Sequence, residues 1–310
     1  MGAGAIEGMS AGGAARGNRG SALGAAFRLG RVSNLPTVWT NALAGVALAG
    51  GAPWHMATLL VVLALSLFYI GGMYLNDAFD REIDARERPS RPIPSGEVAA
   101  NTVFAAGFGM ILAGLAMLLP AAASAGVGAS AAVCAGAALA LAIIAYDWRH
   151  KGNPLSPLLM GLCRVLAYVT AGSAVVATAP PALLVACAVA LSYLIGLTYI
   201  AKQESLERVA NLWPLAFLAA PLPYGLALLP AEGWPVAVLL AALLGWIAVA
   251  LRLLWRRRPG DIPRAVIGLI AGIALLDALF LAACGELVAA LLAVACFGAT
   301  LVLQRWVSGT

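Results

Sequence analysis

Apolar residues gather into ten long runs, at about 35 to 51, 56 to 76, 98 to 121, 126 to 146, 156 to 178, 182 to 201, 211 to 229, 234 to 254, 264 to 283 and 287 to 304. Short polar or Gly/Pro-containing connections separate them, and each run is near the roughly 20 residues that a helix needs to cross a bilayer. The last two are parted only by Cys284, Gly285 and Glu286. The pattern predicts an all-α, polytopic transmembrane bundle of nine to ten spans. The first 26 residues are rich in Gly and Ala without a continuous apolar core, so they read as a disordered cytoplasmic tail ahead of a single transmembrane domain at 27–310.

Composition agrees with a membrane protein. Of 310 residues, 62% are hydrophobic and 11% charged, against roughly 25% charged in a soluble domain. The basic residues set the orientation. The N-terminal segment carries Arg16, Arg19, Arg28 and Arg31, the connection after the second run carries Arg81, Arg86, Arg88 and Arg91, and later even-numbered connections are also basic. The odd-numbered connections have no Lys or Arg. By the positive-inside rule both termini face the cytoplasm, as in a protein of a bacterial inner membrane. The net charge of +5 belongs to that leaflet, and no nucleic-acid module is present. Cys134, Cys163, Cys187, Cys284 and Cys296 lie in or beside apolar runs without metal or redox spacing and read as small core residues.

The segment NDAFDREIDARERPSRPIPSG at 76 to 96 breaks the apolar pattern. On a helix, steps of three and four residues set Asp77, Asp80 and Asp84 on one face as a stripe about ten ångströms long, with Asn76 on its shoulder. Carboxylates so spaced repel one another. A hard divalent cation that shares its coordination with substrate phosphates answers that repulsion. Arg86, Arg88 and Arg91 then suit the remaining phosphate oxygens, because a guanidinium presents forked donors.

Three further clusters lie on the cytoplasmic side or within spans. Tyr146 to Lys151 closes the fourth run, either as an interfacial belt or as part of a site. YIAKQESLE at 199 to 207 places Gln203 and Glu207 on one helical face beside Lys202, either as a solvated helix end or as a second, weaker ligand set. Arg164 and Asp277 sit inside spans, where an ionisable group is a functional candidate or a buried structural partner. His55 reads as an interface residue.

With these motifs the sequence resembles the UbiA superfamily of intramembrane prenyltransferases, and most of all its EboC subgroup. NDAFDREIDA at 76 to 85 carries the family's NDxxDxxxD pattern, followed by RPSRPIPSG, and RVSNLPTVWTNALAG at 31 to 45 is similar to the family's first-helix segment. Tyr146 and Lys151 are similar to the tyrosine and lysine after the family's fourth helix. The departure is at the second acidic motif, where Gln203 and Glu207 stand for the usual aspartates. The CDP-alcohol phosphotransferase pattern is absent, since Arg81 follows Asp80 where that family needs glycine.

The resemblance implies transfer of a prenyl group from a polyprenyl diphosphate to an aromatic or other small acceptor within the lipid bilayer. It implies Mg²⁺ held by Asn76, Asp77, Asp80 and Asp84, with Glu207 as the remaining ligand. Asp80, Asp84, Tyr146 and Lys151 take the catalytic roles. Asn41, Arg81, Arg88, Arg91, Arg164, Lys202 and Gln203 are the substrate-binding candidates. The altered second motif keeps an alternative open: binding or movement of a prenyl or diphosphate lipid without chemistry.

Overall fold

The computed structural model describes residues 22–149, 153–203, 213–256 and 258–307. Among them every regular element is helical: α1 (Ala22–Leu29), α2 (Leu35–Leu48), α3 (Met56–Phe79), α4 (Arg81–Glu87), α5 (Ala100–Ser124), α6 (Ala129–Arg149), α7 (Ser156–Ser173), α8 (Pro181–Gln203), α9 (Pro221–Glu232), α10 (Trp234–Arg256), α11 (Asp261–Ala283) and α12 (Leu287–Leu303). Short 3₁₀ turns lie at Val32–Asn34 and Trp213–Ala219.

Each apolar run carries helix. Among the described residues seven segments are long and apolar enough to cross a membrane: α3, α5, α6, most of α8, the stretch Trp213–Glu232, α10 and α11. The other three runs hold α2, α7 and α12, of 14, 18 and 17 residues. This is an integral membrane protein. The seventh run departs from a simple span: Pro214, Pro221 and Pro223 each lack an N–H, so a 3₁₀ turn precedes α9 where the pattern suggests one continuous helix. Two elements have no counterpart in the hydropathy pattern. α1 begins at Ala22, within the segment that composition assigns to the tail, and α4 is a separate seven-residue helix.

Two large apolar clusters hold the bundle. One joins α2, α8, α10, α11 and α12; the other joins α2, α3, α5, α6 and α7. α2 belongs to both, and its close approach to α7 requires a glycine. A Cβ at Gly45 would lie 2.8 Å from the Tyr168 carbonyl oxygen and 2.8 Å from the Ala171 Cβ. Small residues of this kind let membrane helices approach to backbone contact.

α11 sits at the centre of the first cluster. Within its span 89% of the residues are buried by the rest of the protein, so it has almost no lipid face. It carries Asp277, fully buried, which accepts a hydrogen bond from Thr40 Oγ1 at 2.6 Å and a second from the Tyr168 hydroxyl. Those donors come from α2 and α7, so one carboxylate ties three helices together. The exposed large apolar residues, such as Leu112, Leu141 and Leu291, mark the outer, lipid-facing surface. Trp54, Trp148, Trp213, Trp234, Trp255 and Trp306 are exposed near helix ends, the usual place of an aromatic belt. His55 has a local role: its Nδ1 accepts from the Ala57 N–H and caps α3.

Candidate functional site

The acidic segment lies where α3 ends. α3 runs to Phe79, Asp80 is at once its C-cap and the residue that opens α4, and α4 continues to Glu87. The stripe is therefore not one straight helix face, as the spacing predicts, but bends at Asp80. The Asp80 N–H still donates to the Asn76 carbonyl at 3.0 Å and the Asp84 N–H to the Asp80 carbonyl at 2.9 Å. The bend thus keeps the register of the aspartates. Asn76, Asp77, Asp80 and Asp84 are all buried.

Burying carboxylates without partners is unfavourable by several kcal/mol, and two arginines compensate. Arg91 Nη1 donates to Asp77 Oδ1 and to Asp84 Oδ2, each at 2.9 Å. Arg31 Nη2 donates to Asn76 Oδ1 at 3.1 Å and to Asp77 Oδ1 at 3.2 Å. The chain beyond α4 is built to hold Arg91. Pro92 and Pro94 restrict the backbone, Gly96 takes the left-handed conformation at φ +76°, and the Ser95 N–H returns to the Arg91 carbonyl at 2.9 Å. Ile93 and Val98 pack against Leu29, Ala78 and Val103, which anchors this loop to α1, α3 and α5. An ion pair between Arg28 and Glu97 adds a second tie to α1.

Arg31 stands in the link between α1 and α2, and its backbone is left-handed, with φ +41°, the one non-glycine residue among those described with positive φ. A conformation of that kind costs about 1 kcal/mol or more and persists where surrounding contacts hold it. Here Tyr69 donates its hydroxyl to the Arg31 carbonyl at 3.2 Å, and Asn34, three residues on, receives a hydrogen bond from Gln304 at the end of α12 at 2.7 Å. Sequence spacing does not single out Arg31 as a site residue, because its partners lie 45 and 46 positions away.

Asp147, near the end of α6, also joins the site: Asn76 Nδ2 donates to Asp147 Oδ1 at 3.1 Å. Tyr146 beside it is half-buried and lies within electrostatic reach of Arg31 and Asp80. Trp148 points outward, with the Arg149 guanidinium 5.2 Å from its ring centre, as an interfacial pair would.

The structure brings Asn41 and Arg164 together on the facing sides of α2 and α7. Arg164 Nη1 donates to the Thr37 carbonyl at 3.1 Å and to Asn41 Oδ1 at 3.4 Å, and Nη2 reaches Thr37 Oγ1 at 3.3 Å. Three other candidates lie apart from the stripe or at its edge. Arg81 donates to the Ala78 carbonyl at 3.1 Å and to Glu82 at 3.3 Å, and packs over Phe104. Arg88 is exposed in the turn after α4. Lys202, exposed near the end of α8, donates to the Asn153 carbonyl at 2.7 Å. Gln203 ends α8, with its side chain outside the described residues, and Lys151 and Glu207 also lie outside them.

The donors around the stripe are all oxygens of Asn and Asp side chains, the hard set that suits Mg²⁺. Among the described residues no three acidic, His or Cys side chains are gathered closely enough to hold a metal ion by themselves, since guanidinium groups lie between the carboxylates. That fits an ion which takes only part of its shell from the protein and completes it from substrate phosphates and water. An apolar cavity of about 280 Å³ opens between α7, α8 and the 3₁₀ turn, lined by residues that include Leu158, Ile195, Tyr199, Trp213 and Phe217.

Residues 37–273 match the UbiA prenyltransferase family, and the chain belongs to it. The match begins in α2 and ends within α11, so α12 lies beyond it. Over 229 residues the chain is 29% identical to the digeranylgeranylglyceryl phosphate synthase of Natronomonas pharaonis, a match that covers 66% of this chain and 78% of that protein. It is 33% identical over 130 residues to the synthase of the same name from Methanoregula boonei, covering 41% of this chain and 43% of that one. A shorter match, 37% over 87 residues, is to the chloroplastic chlorophyll synthase of Oryza sativa subsp. japonica, covering 26% of this chain and 23% of that protein. The chain spans less than half the length of the first curated relatives it matches. Among solved structures, an apo UbiA homologue from Aeropyrum pernix K1 superposes with a TM-score of 0.60 at 17% identity, covering 80% of this chain and 97% of that one. A structure of digeranylgeranylglyceryl phosphate synthase gives a TM-score of 0.56 at 20% identity, covering 85% and 99%. These likenesses establish the fold.

Proposed function

We propose that this protein transfers a prenyl group from a polyprenyl diphosphate to an acceptor within the membrane, and that Mg²⁺ bound with the diphosphate is required. The observation that carries this reading is the buried cluster of Asn76, Asp77, Asp80 and Asp84, interleaved with Arg31 and Arg91, at the end of an apolar bundle. When bound, Mg²⁺ would be held by Asn76, Asp80 and Asp84, with Asp77 beside them, and would neutralise the diphosphate as a leaving group.

The chain's own residues supply the rest. Arg31 and Arg91 each have more N–H donors than they give to the carboxylates, and those left over can meet phosphate oxygens, where negative charge grows as the allylic C–O bond breaks. Arg88 adds a third guanidinium from the turn, and Lys151 is a further cation for the same oxygens. Apolar side chains around the site exclude water, so the allylic carbon is taken by the acceptor and not hydrolysed. The acceptor gives up a proton as the new bond forms, and diphosphate leaves. Tyr146 faces the same end of the bundle, suited to contact with the allylic carbon or the diphosphate. Asn41 and Arg164, which bond each other where α2 meets α7, are proposed as further substrate contacts.

The acceptor expected from the resemblance is an aromatic ring. The relatives are named for a glyceryl phosphate and for chlorophyll, so a test panel includes a prenylglyceryl phosphate beside aromatic acceptors. Purified protein with Mg²⁺, a labelled prenyl diphosphate and the panel is expected to release diphosphate and form a prenylated product, and Asp80→Ala to abolish both. Full turnover by that variant would overturn the role given to the stripe. The Gln203/Glu207 pair favours a second reading, binding or movement of such a lipid without transfer; diphosphate release in a single turnover excludes it. The site is proposed to face the cytoplasm of a bacterial inner membrane.

A further inference from the structure

We infer that Asp147 is a further cation ligand of this site, a carboxylate delivered from α6 that neither acidic motif contains. The inference rests on the proposed Mg²⁺–diphosphate reading and deepens it.

Asp147 is 3% exposed, and its two oxygens have unequal surroundings. Oδ1 accepts the Asn76 amide at 3.1 Å, while Oδ2 is buried with no hydrogen-bond partner among the described residues. A buried carboxylate oxygen left without a donor is unfavourable by about 1–3 kcal/mol or more, and native structures rarely keep one without a use. Among the described residues no Arg, Lys or His side chain forms an ion pair with it; Arg31 and Arg91 are engaged by Asn76, Asp77 and Asp84. A cation arriving with the substrate would fill that place.

The identity of residue 76 follows from the same contact. Asn76 directs its Nδ2 to Asp147 and its Oδ1 to the side of Arg31 and Asp77. An aspartate at 76 would set two acceptors against each other at that 3.1 Å contact. The amide holds Asp147 in place through one end and offers an oxygen through the other, so the first motif and α6 present their donors as one set. Asp147 thereby brings a carboxylate from a second helix, in a chain whose second acidic motif has Gln203 in place of an acid.

The test uses the full-length protein in lipid nanodiscs with Mn²⁺ as the probe, free Mn²⁺ being counted by electron paramagnetic resonance with and without inorganic pyrophosphate. Asp147→Asn is nearly isosteric and can keep the bond from Asn76 while it removes the charge. It is expected to raise the Kd for Mn²⁺ by about tenfold or more, as changes around bound metals do, with the unfolding temperature in the absence of metal unchanged or raised. Mn²⁺ binding equal to wild type in Asp147→Asn, while Asp80→Asn loses it, would overturn the assignment and leave the motif site standing. If wild type itself fails to bind Mn²⁺ with or without pyrophosphate, the underlying Mg²⁺ reading falls and takes this inference with it. Should Asp147→Asn not fold, Asp147→Glu carries the test, because a longer side chain displaces the carboxylate. Weakened binding supports the ligand role, and an unchanged Kd refutes it.

Discussion

One nitrogen of Arg91 serves two buried carboxylates at once, Asp77 and Asp84, at 2.9 Å each. Removing one partner of a buried ion pair leaves uncompensated charge, a loss of about 3–5 kcal/mol. Arg91→Ala is therefore expected to lower the unfolding temperature markedly and to weaken prenyl diphosphate binding. Arg91→Lys, a point charge that can still bridge both oxygens, should recover much of the stability but less of the diphosphate affinity. Thermal unfolding and a binding isotherm on the same preparations separate the two effects. Asp277 is a residue of another kind, since the structure assigns it an architectural contact with Thr40 and Tyr168. Asp277→Ala strands the buried Tyr168 hydroxyl at about 1–3 kcal/mol, while Thr40 keeps the Thr37 carbonyl as an acceptor at 3.1 Å, and Asp277→Asn is expected to be milder in the same unfolding measurement. At this scale legibility depended on sequence distance. Asp77, Asp80 and Asp84 announce themselves by spacing within one segment. Arg31 and Asp147 meet the motif across 45 and 71 positions, and a long-range contact leaves no local period. The available clues were an arginine just ahead of the first apolar run and an acid at the end of the fourth.

Among the helices, hydropathy was a dependable guide to existence and a poor one to detail. All ten runs carry helix because apolar length has few other solutions in a bilayer. The break at Asp80, the 3₁₀ turn before α9, and the short α1 and α4 depend on caps, prolines and tertiary contacts that a 20-residue pattern averages away. The pairing of α2 with α7 is equally invisible in the runs, although it aligns Asn41 with Arg164. Gly45 permits that pairing, since a Cβ would meet the Tyr168 carbonyl oxygen at 2.8 Å. Gly45→Val is expected to force the two helices apart, with a stability loss of about 1–3 kcal/mol and a raised KM for prenyl diphosphate. An unchanged unfolding temperature would show that α2 does not need this approach. α12 illustrates the reverse case: it lies beyond the family match at 37–273, yet Gln304 at its end bonds Asn34 beside Arg31. An element at the edge of the family likeness thus braces the link that carries a site residue.

For the molecule as a whole, the proposed orientation puts the acidic stripe, the Arg91 loop and the ends of α6 and α8 on one face of the membrane. A fluorescent protein that matures only in the cytoplasm, fused after Thr310, is expected to glow, and one fused after Gly126 in the α5–α6 connection to stay dark. The opposite pattern would invert the assignment. The burial of α11 has a separate consequence, for how the chain is assembled. Its span has the highest mean hydropathy of the seven, 2.5, yet 89% of it is covered by protein in the finished bundle. Lipid contact in the mature fold cannot be what that apolarity serves. An aspartate at the centre of a lone helix opposes insertion by about 2.5–3.5 kcal/mol, and Asp277 sits well inside this one. The surrounding Leu, Ile, Val and Ala offset that penalty during the interval before Thr40 and Tyr168 are in reach, so the composition of α11 answers to its passage into the membrane as much as to its place there.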